Sequence, residues 1–75
     1  MKQMTIIYED GSTLGLHITK AKRKYTRYLE VRDCGDYYEY ASYSGYYRID
    51  KDTLKVTLNN GVKIIEKPNI KIEIA

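Results

Sequence analysis

Met4-Thr5-Ile6-Ile7-Tyr8-Glu9-Asp10-Gly11-Ser12-Thr13-Leu14-Gly15-Leu16 sets two apolar alternations on either side of a polar break that ends in glycine. The break recurs. Asp33-Cys34-Gly35, Tyr43-Ser44-Gly45 and Asn59-Asn60-Gly61 each place glycine third among three residues between strand-like stretches. A three-residue hairpin loop runs through a type I turn into a left-handed residue, where glycine has no Cβ to clash. Four such breaks in 75 residues predict consecutive antiparallel hairpins. The expected fold is therefore all-β, a single domain over residues 1–75: a small antiparallel meander of seven to eight short strands forming a curled sheet or small barrel.

Side chains alternate along a strand, so a one-residue slip sends every apolar group to the wrong face. A three-residue loop at Glu9-Asp10-Gly11 pairs Ile6 with Leu14 and Met4 with Leu16, whereas a two-residue Asp10-Gly11 turn would set Ile6 against Gly15. The same loop at Asn59-Asn60-Gly61 pairs Leu58 with Val62 and Val56 with Ile64. At Asp33-Cys34-Gly35 it pairs Arg32 with Asp36, Glu30 with Tyr38 and Tyr28 with Tyr40, a register favoured by the Arg–Asp match. Carried through Tyr43-Ser44-Gly45, it sets Tyr40 opposite Arg48 and Ser42 opposite Tyr46.

One face then holds Leu29, Val31, Tyr37, Ala41, Tyr43, Tyr47 and Ile49 as core, despite Arg27 and Glu39 among them. The other presents Tyr28, Tyr38, Tyr40 and Tyr46 with Arg48. Nine tyrosines with no Phe or Trp make this second face the candidate partner-binding surface. Tyrosine joins a large apolar body to a polar tip and is enriched at interfaces, often beside arginine. Its β-propensity alone would also put it on a half-wet sheet.

Residues 25–32 read as a strand rich in aromatic and β-branched side chains. The alternative is α+β, with one helix at about residues 20–33, because Ala21, Tyr25, Tyr28 and Leu29 share a helical face. Basic residues crowding the positive end of such a helix, with no capping box, count against it.

The net charge of +3 is concentrated in Lys20, Lys22, Arg23, Lys24 and Arg27, leaving 8 basic against 10 acidic groups elsewhere. This segment is the candidate anion-binding site; its ordinary role is to solvate a connection. The single Cys34 makes no internal disulfide, no apolar run is long enough to cross a bilayer, and Met1-Lys2-Gln3-Met4 does not read as a signal peptide. A cytoplasmic setting is expected, in a bacterial or phage-infected cell. Nine Lys, nine Ile and nine Tyr against one Pro and three Ala suit an AT-rich source.

Catalytic chemistry is hard to assemble from these residues. His17 points outward from strand two, and Cys34 stands among Asp33 and Asp36, whose charge should raise its pKa. Asp50 and Asp52 offer too few oxygens for calcium, one His with one Cys cannot hold zinc, and no phosphate-binding glycine motif occurs. The expectation is no catalytic residue, metal or cofactor and no enzyme. It is instead a small binding protein that occupies a protein partner through the tyrosine face or an exposed strand edge, as phage or mobile-element inhibitors of host or defence proteins do. The alternative is a nucleic-acid-binding domain in which segment 20–27 holds phosphates while tyrosines stack on bases. Acids Glu30, Asp36, Glu39 and Asp50, expected among the tyrosines, count against it. Open strand edges would be hidden by barrel closure or by a homodimer.

Overall fold

The computed structural model describes residues 2–20 and 26–75. They form eight strands: β1 (Gln3–Ile7), β2 (Thr13–Thr19), β3 (Glu30–Asp33), β4 (Tyr37–Ser42), β5 (Gly45–Asp50), β6 (Val56–Asn59), β7 (Ile64–Glu66) and β8 (Lys71–Ile74). These make one curled sheet in the order β7-β6-β5-β4-β3-β2-β1-β8. All-β architecture follows the sequence reading, and no helix occurs among the described residues. The helical alternative thus fails over residues 26–33, while 21–25 lie outside the described residues. No helix among the described residues is long and apolar enough to cross a membrane.

The meander is broken twice: β8 leaves β7 to pair with β1 at the far edge, and the β2–β3 step is not a hairpin. β2 and β3 run parallel, Ile18 opposite Val31, where consecutive hairpins would make them antiparallel. Segment 20–27 contains no Gly, Pro, Asn or Asp to make a tight reversal. A longer connection brings the chain across instead, and among the described residues of the expected 25–32 strand Glu30–Arg32 lie in β3, with the Leu29 carbonyl accepting from the His17 N–H just before it. The connection ends in a turn closed by the Glu30 N–H donating to the Arg27 carbonyl (3.2 Å).

The four glycines of the breaks have positive φ, at 86° for Gly11, 96° for Gly35, 132° for Gly45 and 89° for Gly61. Only the first ends a three-residue loop. There the Gly11 N–H donates to the Tyr8 carbonyl, and Ile6 faces Leu14 and Met4 faces Leu16 as expected. At the second break the Cys34 N–H donates to the Tyr37 carbonyl (2.9 Å), which leaves a two-residue Gly35-Asp36 loop. Gly35 occupies its first position, as in a type II′ turn. The last break behaves alike: the Asn60 N–H reaches the Lys63 carbonyl (3.3 Å) around Gly61-Val62. At the third the loop is Tyr43-Ser44, and Gly45 lies beyond it in β5, where a Cβ would collide with the Asn59 carbonyl.

Three registers are corrected accordingly. Arg32 faces Glu39 rather than Asp36, and Asp33 faces Tyr38. Tyr40 faces Tyr47 rather than Arg48, and Ser42 faces Gly45 rather than Tyr46. Leu58 faces Ile65 and Asn59 faces Ile64, not Leu58 with Val62. Each slip is by an odd number of residues, so each inverts a face. The first two cancel at β5, and β4 alone between them is turned over. Val31 and Ile49 stay in the core as expected, but Tyr38 is buried, at 7% exposure, and Tyr37 and Ala41 face outward. Glu39 gives the reason: the expected register would have set its charge on the core face, where burying a charge is costly. On the outer face it lies opposite Arg32 on one side and Arg48 on the other.

The core inside the curl joins Met4, Ile6, Leu16, Val31, Tyr38, Ile49, Val56, Ile70 and Ile72, with Leu58 also buried. Lys51 clasps the ends of two hairpins, its Nζ 2.7 Å from Asp33 and its N–H on the Asp36 carbonyl.

Candidate functional site

Inverting β4 gathers tyrosines along the inside of the curl. Tyr40 and Tyr47 are cross-strand partners whose rings stack with centroids 6.1 Å apart and planes at 18°. Both are half-buried and pack on the core, as does Tyr8 just beyond β1. Burial raises the Tyr8 phenol above its usual range, and the neighbouring Tyr40 and Tyr47 hydroxyls raise it further. Burial likewise raises Tyr40, followed by Tyr28 and Tyr47. Tyr8 and Tyr40 therefore share one electrostatic neighbourhood at this end of the sheet.

The outer end of this row opens into a hollow of about 360 Å³. Arg27, Tyr28 and Leu29 form one wall, and Tyr40, Ser42 and Tyr43 the other. Tyr28 is 90% exposed and Tyr43 fully so. Local backbone explains why Tyr28 stands out. Leu29 holds φ at +58°, a conformation that costs a leucine about 1–2 kcal/mol, and its half-buried side chain packs on the core. The Arg27 N–H in turn donates to Glu30 Oε1 (2.6 Å), closing the turn that carries Tyr28. Across the hollow, the Ser42 hydroxyl donates to the Gly45 carbonyl (2.9 Å) and braces the Tyr43-Ser44 loop. No carboxylate lines the hollow; its one formal charge is Arg27.

Of the residues expected to form one tyrosine face, Tyr28 borders the hollow, Tyr40 lies in its wall, and Tyr38 is sealed in the core. Tyr46 and Arg48 remain on the outer face, but there Arg48 lies 3.7 Å above the Tyr37 ring, packed on its own sheet. The expected surface is therefore divided between two faces. Tyr43 and Tyr47, expected in the core, now belong with Tyr28 and Tyr40. A two-residue reading of the Tyr43-Ser44 loop would have turned Tyr40 to the side of Tyr47. Of the basic segment, Lys20 and Arg27 are exposed, and Lys22, Arg23 and Lys24 lie outside the described residues.

His17 is exposed on the outer face of β2. Cys34 has its thiol pushed up chiefly by burial and then by Glu39, rather than by Asp36, and its Sγ donates weakly to the Arg32 carbonyl (3.9 Å). Among the described residues, no group of three or more His, Cys, Asp or Glu side chains could hold a metal ion. Set beside known protein families, curated proteins and solved structures, the chain matches none. Its function has to be argued from this geometry.

Proposed function

We propose that this protein is a non-enzymatic binding domain that acts by occupying a protein partner, with the hollow between Tyr28 and Tyr43 as its contact surface. The observation that carries the reading is the combination of exposed tyrosines with an acid-free lining around Arg27. Such a surface suits an acidic patch on the partner: the aromatic rings supply contact area at little entropic cost, and the cation supplies charge complementarity. A cytoplasmic inhibitor carried by a phage or mobile element is the biological setting this reading favours.

A second reading, single-stranded nucleic acid on the same hollow, gains from one observation. Asp36, Glu39 and Asp50 lie outside the hollow lining, which leaves Glu30, bonded to the Arg27 N–H, as the one of those acids beside it. Tyrosine stacking with phosphates held by Arg27 would then be the mechanism.

Tyr28→Ala/Tyr43→Ala, with its fold checked by circular dichroism, tests both. Recovery of a specific protein from source-cell extract by the native chain, and its loss with the double variant, supports the first reading. Unchanged recovery removes the hollow from it. Tight binding of a fluorescent oligothymidine that falls steeply with salt and is lost with Arg27→Ser would make the second reading primary.

A further inference from the structure

The slip at the last hairpin leaves an unusual surface. Because Leu58 faces Ile65, the side chains of Val62 and Ile64 turn away from the core and stand 90% and 69% exposed. Tyr46, exposed on the same outer face, reaches Ile64 through their shared neighbour Asn59. β7 is also the last strand of the sheet. The Lys67 N–H donates to the Val56 carbonyl (2.9 Å), and the Lys63 carbonyl accepts from the Asn60 N–H, so Lys63, Ile65 and Lys67 turn their backbone groups toward β6. In an antiparallel ladder the intervening residues turn theirs the other way. The N–H and C=O of Ile64 and Glu66 therefore point off the edge, beside the exposed aliphatic side chains.

The opposite edge does not close this gap. Lys67-Pro68-Asn69-Ile70 is a tight turn closed by the Ile70 N–H on the Lys67 carbonyl (3.2 Å), after which β8 leaves to pair with β1. Two strands joined by a short turn thus separate instead of forming a hairpin. Edge strands of this kind accept an added strand.

We propose that the free edge of β7 binds an extended segment of a protein partner by strand addition, with an apolar side chain over Ile64 and acidic side chains opposite Lys63 and Lys67. Charge selects the occupant. Residues 62–71 carry Lys63, Lys67 and Lys71 against Glu66 alone. A second copy of this chain fits less well: a two-fold axis through Ile64 stacks Ile64 on itself but leaves Lys63 and Lys67 opposite uncharged residues, and one through Ile65 sets Lys63 against Lys67 of the other copy. Like charges placed opposite are destabilising. The inference rests on the protein-partner reading but uses a surface separate from the tyrosine hollow.

The test is a titration of the isotopically labelled full chain with the blocked peptide Glu-Val-Glu-Val-Glu-Val-Glu and with its lysine counterpart. The expected result is shifted and exchange-protected amides at Ile64 and Glu66, unaltered amides at Ile72 and Ile74, and weak or absent binding of the lysine peptide. Ile64→Pro removes an outward N–H without touching the β6–β7 ladder, and is expected to keep the fold and weaken binding about tenfold or more. Ile64→Asp, on an exposed side chain, is the second variant and weakens it by charge repulsion. Tyr28→Ala/Tyr43→Ala leaves peptide binding unchanged, which separates failure of the hollow from failure of the edge. The proposal is overturned by shifts confined to β8 or the hollow, by equal binding of the lysine peptide, by native affinity in both Ile64 variants, or by a dimer that already protects Ile64.

Discussion

The β1–β2 and β4–β5 hairpins both carry a glycine with positive φ at the third residue of a polar break, yet one pairs as expected and the other is one residue out. In the first, Gly11 is open to solvent and serves only the backbone turn. In the second, Gly45 has already joined the strand, and its missing Cβ makes room for the Asn59 carbonyl on the neighbouring strand. A glycine therefore fixes that φ is positive somewhere in a reversal, while its place in the loop depends on what packs beside it. Apolar alternation settled the first hairpin because only one face of Met4–Ile7 and Thr13–Thr19 is consistently oily. β4 offers tyrosine on both faces, so the alternation is silent there.

The sharpest break of this comparison is Tyr38→Ala against Tyr37→Ala. Removal of the buried ring is expected to cost about 3–5 kcal/mol, enough to unfold much of so small a domain, and urea denaturation would read it. Loss of Tyr37, half-buried on the outer face beneath Arg48, should cost less, about 1 kcal/mol. The reverse order would restore the register in which β4 faces the other way.

Next in size is Gly45→Ala, which combines a strained φ with a collision against backbone and should lose about 3 kcal/mol. Gly11→Ala meets nothing within 4 Å and should lose only about 1–2 kcal/mol, from φ alone. Similar losses in the two variants would mean that Gly45 is an ordinary loop glycine.

Acid separates the hairpins in another way. The Ser12 hydroxyl and then its N–H hold the Asp10 carboxyl below the usual carboxylate range, and its hydrogen bonds tie the first loop. A depressed folded pKa means that the stabilisation is present above the unfolded value of about 3.9 and is lost as pH falls through the folded one. Amide exchange at Ser12 should therefore quicken relative to Gly45 in acid, since no carboxylate caps the Tyr43-Ser44 loop. The smallest effect is Gly15→Ala, at ordinary φ with open space, expected to raise stability by about 0.5 kcal/mol in thermal melts.

Strand content, the four reversals and most of the core were legible because they rest on local alternation and on glycine. The candidate site was half legible. Tyr28 and Arg27 were singled out, but Tyr43, Tyr47 and Tyr8 were not, since joining them required the turned-over β4. Glu39 was the available clue, for a face holding a carboxylate makes a poor core. The exposure of Val62 and Ile64 had no such clue, because both sides of β7 are partly apolar.

By itself the chain determined an all-β fold, positive φ at Gly11, Gly35, Gly45 and Gly61, and the pairing of β1 with β2, all consequences of local sterics and one-sided burial. The parallel approach of β3 to β2, the loop lengths at three hairpins and the side of β4 that faces inward were decided only in the folded sheet. There, burying Tyr38 while leaving Glu39 between two arginines is favourable only once neighbouring strands are in place, and that choice depends on contacts between residues far apart in sequence.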